Sequence, residues 1–239
     1  MTCSDHSSAS PRETTPCPFA ELITAVERSD SAAQLLHTTR ALAKALERHG
    51  LDPGAGPPPA EALACLVRIL GYNNPGAAVA AVEGLIASGP NAVALLLGGL
   101  DETNYGARAW AVRALAGIGD VRGLDLLEQA LADDIGPSVR RAAAIGMGML
   151  RLDPLDPPHR HAVQERALEA LQGASADGEW VVRYAVAAAL ERLSLGLAPR
   201  ERHRDAALFS LNHLADIERE EVPVVRLRAR LALNRLAAP

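Results

Sequence analysis

Arginine recurs in this chain at one fixed place relative to an apolar residue. Arg108, Arg140, Arg183 and Arg226 directly follow Ala107, Val139, Val182 and Val225, each the first apolar position of a repeated segment. A guanidinium presents a planar fork of donors that grips carboxylates two bonds at a time. A column of them has two uses. It can tie neighbouring units into a ladder, with Asp101, Asp120 and Asp133 as partners, or it can line a surface with anion-binding charge. Arg113, Arg141 and Arg228 stand outside the repeated column and are the better binding candidates. Aromatic side chains accompany them. Tyr105 and Trp180 share one phase at the first turn of their segments, Trp110 flanks its apolar stripe, and Tyr184 points away from its own. Only 3% of residues are aromatic, so this concentration suggests a flat ligand or a partner surface, set against ordinary packing between units.

Covalent chemistry has no equivalent signal. The chain lacks a glycine-rich phosphate loop closed by lysine, a nucleophile elbow and a zinc helix with paired histidines. His159 and His161 are two apart and diverge on a helix, while His203 and His213 stand separately on the penultimate helix. No metal site is expected. Cys65 lies in a mostly apolar helix and reads as a small hydrophobe. Cys3, Cys17 and Cys65 show no paired spacing, which suits a reducing compartment. A net charge of −5 supplies no overall basic field for nucleic acid. The start of the chain lacks the apolar core of a signal peptide, and Glu83 with Gly89-Pro90 interrupts the alanine-rich stretch, so a soluble cytoplasmic protein without membrane insertion is expected.

The elements that position these residues are helices. Asn104 to Asp120 reads as one helix with Ala107, Ala111, Ala114, Leu115 and Ile118 on one face and an Ile-Gly-Asp stop. Later copies are Val139, Ala143, Gly146, Met147, Leu150; Val182, Val186, Ala189, Leu190, Leu193; and Val225, Ala229, Ala232, Leu233, Leu236. A weaker early copy is Ala77, Ala81, Gly84, Leu85. Offsets of 30, 32, 43 and 43 residues mean stacked units rather than one globular core. The third column is always Ala or Gly, which lets helix backs approach closely.

The expected fold is all-α, a HEAT-like solenoid of about five helical hairpins with an N-terminal helical cap. Residues 1–18 are expected to be a disordered tail, 19–50 the cap, 51–59 a Pro/Gly linker and 60–239 the solenoid. The hairpins pair Glu61–Leu70 with Pro75–Ala87, Asn91–Leu100 with Tyr105–Ile118, and Val121–Ala132 with Pro137–Leu150. Two longer units pair His159–Leu171 with Trp180–Leu195 and Arg200–Ile217 with Pro223–Leu236. Pro75, Pro137 and Pro223 open second helices, where a missing amide proton costs little. The final helix pair is expected to expose apolar surface for a second subunit.

The run Tyr105-Gly106-Ala107-Arg108-Ala109-Trp110-Ala111, with the Val-Arg, Ala-Ala and Ile-Gly-Asp elements around it, resembles the HEAT-repeat phycobilin lyases of the E/F type. It is most like the F-type subunit of the heterodimeric phycocyanobilin lyase. The resemblance runs from about Glu61 to Leu236. It implies attachment of an open-chain tetrapyrrole, such as phycocyanobilin, through a thioether to a cysteine of an apo-phycobiliprotein α subunit. An E-type subunit is implied as partner, and the bilin is a substrate rather than a permanently bound cofactor. Arg108, Arg113, Arg140 and Arg141 would then meet bilin propionates, Asp101 or Asp120 the pyrrole nitrogens, and Tyr105, Trp110 and Trp180 the rings. A lyase-isomerase relative carries Asn-His-Cys-His, whereas this chain reads Asn212-His213-Leu214, so isomerisation is not implied. The competing readings are a non-enzymatic adaptor that binds bilin or phycobiliprotein in phycobilisome assembly or degradation, and a HEAT adaptor with no pigment link.

Overall fold

The computed structural model describes residues 18–98, 104–195 and 202–237. The expected tail apart from Pro18, with Cys3 and Cys17, and also Asp101 lie outside them. All regular structure among the described residues is helical, in six hairpins. These are α1 (Pro18–Glu27) with α2 (Ala32–Gly50), α3 (Ala60–Ile69) with α4 (Pro75–Ala87), and α5 (Val93–Gly98) with α6 (Tyr105–Ile118). Then come α7 (Leu124–Asp133) with α8 (Pro137–Met147), α9 (Pro157–Gly173) with α10 (Trp180–Ser194), and α11 (Arg202–Ala215) with α12 (Pro223–Ala237). Second helices stack in one row, α2 on α4 through to α12, and pack more closely than the first helices do. The more tightly packed row is the inner side of the curve. The pair expected to cap the stack is built like the others, with α2 lying along α4.

Small residues set that close packing. A Cβ placed on Gly84 would lie 2.9 Å from the Ala43 Cα, one on Gly146 2.8 Å from the Ala116 Cα, and one on Gly148 2.7 Å from the Ala189 Cα. Between these close approaches the larger column is filled by Leu85, Leu115, Met147 and Leu190, all buried. Each such side chain contributes about 1.5–3 kcal/mol by leaving water. Leu233 occupies the same column in α12 and is only partly buried, since no described helix packs beyond it. Two apolar clusters result, and α6 joins them. Its Ala111, Ala114, Leu115 and Ile118 face the first cluster, and its Val112 and Ala116 the second.

Helix ends follow local chemistry. Pro75, Pro137 and Pro223 open α4, α8 and α12 as the sequence predicts. Asn74 caps α4 through the Ala77 amide, and Asn104 caps α6 through the Ala107 amide. The Ile-Gly-Asp element divides its work. Ile118 is buried, Gly119 ends α6 at φ 69°, and Asp120 accepts from the Arg122 amide. A Cβ at Gly119 would lie 2.4 Å from the Met149 carbonyl oxygen, so glycine is required there for space as well as φ. The Asp120 turn makes residues 121–123 a 3-10 turn, which is why α7 starts three residues later than the periodicity predicts.

Gly146→Val should lower unfolding stability in urea by about 1–3 kcal/mol, because the added atoms meet the α6 backbone. Gly173→Ala, where an added Cβ meets nothing and φ is −56°, should raise it by about 0.5–1 kcal/mol.

Candidate functional site

The arginine column forms a ladder along the edge where first helices turn into second ones. Arg140 grips the Asp177 carboxylate through Nε at 2.7 Å and Nη2 at 3.0 Å, and its Nη1 donates to the Asp134 carbonyl at 2.8 Å. Arg183 repeats the pattern one unit on. It donates to both oxygens of Glu220 at 2.6 and 2.8 Å, and to the Asp177 carbonyl at 2.6 Å. Arg226 donates to the Glu220 carbonyl at 2.6 Å, and Arg108 pairs with Asp134 at 3.4 Å. Each acid thus takes the guanidinium of the preceding unit on its carboxylate and that of its own unit on its carbonyl. The same carboxylates accept the Gly136, Glu179 and Val222 amides, which shapes the turn.

Of the partners expected from sequence, Asp101 lies outside the described residues, and in place of Asp120 and Asp133 the structure puts Asp134, Asp177 and Glu220 in the ladder. All three lie three residues before a second helix. Asp134 and Glu220 are 6% and 3% exposed, so an unpaired charge there would be costly. Arg183 holds the Glu220 carboxyl below its ordinary range. Burial pushes Asp177 up, but the hydrogen bonds from Arg140 and the Glu179 amide outweigh it and hold it low. Arg228 is also consumed. Its Nη2 sits 2.6 Å from Glu191, which Arg235 meets at 3.0 Å, and Glu191 is 3% exposed. Arg228 is therefore a structural cation, contrary to the expectation drawn from its place outside the repeat.

Tyr105 belongs to the first rung. Its phenol lies beside the Asp134 carboxylate, and burial and that charge raise its pKa. Gly136 exists to admit it, since a Cβ there would lie 1.9 Å from the phenol oxygen. Asp120 sits at the opposite edge, chelated by Arg122 at 2.8 Å through two nitrogens, which lowers its pKa. The structure thus separates the eight expected site residues. Tyr105, Arg108 and Arg140 lie in the ladder, and Asp120 lies apart from both the ladder and the inner face.

The inner face holds the rest. On α6 the Arg113 guanidinium lies over the Trp110 ring, 4.5 Å from its centroid. On α8, Arg141 is exposed, and neither it nor Arg113 makes an ion pair with a described residue. Tyr184 follows on α10 in the same helical register as Arg141, while Trp180, 45% exposed, stands at that helix's first turn in the place that Tyr105 takes on α6, between this face and the ladder edge. Val224, Leu227 and Leu231 of α12 complete the face at 41%, 63% and 43% exposure. These three were not expected from the sequence. Their signal was present as apolar residues lying off the buried stripe of Val225, Ala229 and Ala232. The face offers a stacking platform, two uncommitted cations and an apolar end, which together suit a flat, anionic, largely apolar molecule. It offers no nucleophile. Cys65 is buried on α3, and burial pushes its thiol pKa up. Among the described residues no group of three or more His, Cys, Asp or Glu is placed to hold a metal, and no helix is long and apolar enough to cross a membrane.

Residues 66–148 match the family model for HEAT repeats. The chain is 44% identical over 91% of its length to a phycobilisome maturation protein of Synechococcus elongatus, covering 98% of that protein. It is 49% identical over 72% of its length to the phycocyanin alpha phycocyanobilin lyase CpcF of Synechocystis, covering 75% of it. Among solved structures, the complex of CpcE and CpcF of phycocyanin lyase from Nostoc matches at a TM-score of 0.65 and 39% identity, over 73% of this chain and 99% of the matched one.

Arg183→Ala should cost about 3–5 kcal/mol of stability in a denaturant titration, since it leaves Glu220 buried without its partner. Carboxyls held low in the folded state contribute stability above the unfolded range near pH 4, and that contribution is lost as pH falls through the lower folded values. Melting temperature should therefore drop steeply below about pH 4, and Glu220→Gln should flatten that drop.

Proposed function

The chain belongs to the HEAT-repeat phycobilin lyases of the E/F type, and on that premise we propose how it works. It is the F-type member of a heterodimer with an E-type subunit, and it attaches a phycobilin to a cysteine of an apo-phycobiliprotein α subunit. The acceptor thiol adds across the exocyclic ethylidene bond of the bilin A ring. Sulfur bonds to the outer carbon, the thiol proton ends on the ring carbon, and nothing leaves. An addition of this kind asks the protein for placement: an extended chromophore, one open face, and the correct thiol within reach. The observation that carries the reading is the inner face, where a stacked Trp110–Arg113 pair and the unpaired Arg141 stand beside apolar residues with no nucleophile of their own.

Within that reading Arg113 and Arg141 take the carboxylate charge of the bilin, and Trp110 with Trp180 takes its rings. Arg108, Arg140 and Tyr105 hold the helices at the spacing the chromophore needs, through the ladder. The bilin passes through as substrate, and no permanently bound group is required. The unpaired, buried Cys65 suits the reducing cytoplasm.

The E-type subunit docks on the last hairpin. Phe209, Ile217 and Leu227 are 65%, 64% and 63% exposed there, a concentration of apolar surface at the open end of the stack.

Co-production of this chain, an E-type subunit, phycocyanobilin and an apo-α subunit should give fluorescence that stays with the subunit on a denaturing gel. Arg141→Ala should lower the transfer rate about tenfold, with stability unchanged within about 0.5 kcal/mol because the side chain is exposed. Bilin bound stoichiometrically by the wild-type pair without covalent transfer would replace this reading with the adaptor one. Phe209→Asp should weaken association with the E-type subunit at least about tenfold in a calorimetric titration. An unchanged affinity would move the docking surface elsewhere.

A further inference from the structure

A second cationic cleft opens at the far ends of α8 and α10, on the edge opposite the ladder. It encloses about 560 Å³ and is lined by Arg151, Arg160, Arg192, His161, Gln164 and Asp153 beside leucine side chains that include Leu150 and Leu193. Arg108, Arg140, Arg183 and Arg228 each pair with a largely buried carboxylate and Arg226 closes the ladder on the Glu220 carbonyl, whereas the three guanidiniums here have no carboxylate partner among the described residues. The Arg151 Nε donates to the Ile118 carbonyl at 3.0 Å, and the Arg151 amide to the Gly119 carbonyl at 2.8 Å, which anchors it to the end of α6. Arg160 donates to the Asp153 and Leu155 carbonyls at 3.3 Å, and its Nε is buried with no partner among the described residues. Arg192 makes no hydrogen bond or ion pair with a described residue. Asp120 lies close enough to feel Arg151, but its oxygens are taken by Arg122.

Behind the cleft stands His203. It is 4% exposed, its ring packs edge-on against His161 at 4.2 Å, and both its nitrogens are buried without a partner among the described residues. Carbonyls orient a guanidinium without cancelling its charge, so three cations converge here against the single carboxylate of Asp153. Such a place is built for a bound anion. The leucine walls select one attached to an apolar body.

We propose that this cleft binds a propionate carboxylate of the bilin, an assignment that rests on the lyase reading. Tyr184 of the inner face and Arg192 of the cleft lie on α10 about 12 Å apart along the axis, within the reach of an open-chain tetrapyrrole whose rings stack on the inner face. Arg151 and Arg160 form the fixed part of the site and Arg192 the part that closes on the ligand.

The test is an absorbance titration of the full chain in complex with its E-type subunit, using phycocyanobilin and its propionate dimethyl ester, with covalent transfer measured in parallel. Wild type should prefer the free acid about tenfold or more. Arg192→Ala should cut that preference about threefold or more, the share of the one propionate held in the cleft, while leaving the ester's affinity unchanged, and Arg160→Gln should act the same way. Succinate should compete with the acid and fail against the ester. Equal affinity for acid and ester, or an Arg192→Ala variant that keeps the wild-type preference, overturns the cleft assignment, and the lyase reading survives if covalent transfer persists. Loss of both bilin binding and transfer in the wild-type complex overturns both. Circular dichroism of each variant separates lost binding from lost fold.

Discussion

A guanidinium can be placed between helices only if something there answers its charge, and in this chain the answer comes from the neighbouring unit. Asp177 and Glu220 are each bound by the arginine of the unit before through the carboxylate and by that of their own unit through the carbonyl. One residue thus ties two helices and a turn. Sliding a unit along its neighbour would strip two hydrogen bonds from a buried carboxylate, so the ladder fixes register as well as adding cohesion. The inner row can then run on close contacts between alanine and glycine, which by themselves are nearly featureless and would tolerate several alignments.

The two halves of the molecule solve this problem with different chemistry. In the first units the tie is an amide. Asn74 donates to the Ala32 carbonyl at 2.9 Å and Asn104 to the Gly71 carbonyl at 3.3 Å, each also capping its own helix. Ala78 stands in α4 where later units carry arginine. The change to charged ties begins at α6, the helix shared by both apolar clusters. Charged ties in the later units use up cations that would otherwise compete with the inner face for an anion.

The helices and their pairing were legible in the sequence because apolar spacing, proline at first positions and the Ile-Gly-Asp stop all reflect local constraints. The ladder was half legible. Its arginines repeat on helices with fixed phase, but its acids sit in turns of differing sequence, and Asp133 and Asp134 cannot be told apart until the turn closes and buries one of them. Arg228 shows the opposite failure. It breaks the repeat and so looked free, yet its partner Glu191 occupies a place on α10 that reads as solvent-facing until α12 packs beside it. The cleft at Arg151, Arg160 and Arg192 was invisible for a third reason, since its residues come from a loop and two helices with no shared period.

What remains uncommitted once structure has taken its share defines the functional surface better than any residue type does. Of the arginines on the inner helices, those in the ladder and Arg228 are fixed by partners, while Arg113 leans on an aromatic ring and Arg141 faces solvent. A ring offers a cation less than a carboxylate does, so Arg113 keeps most of its attraction for an incoming anion and is already ordered to receive it. Ordering matters more than strength here. A lyase that adds one bond and expels nothing must hold its substrate firmly enough to choose a face, yet release it once it is covalently held by another protein. Cations ordered beforehand by a ring and by carbonyls hold an extended dicarboxylate at separate points, so the grip divides into contacts that can release one at a time.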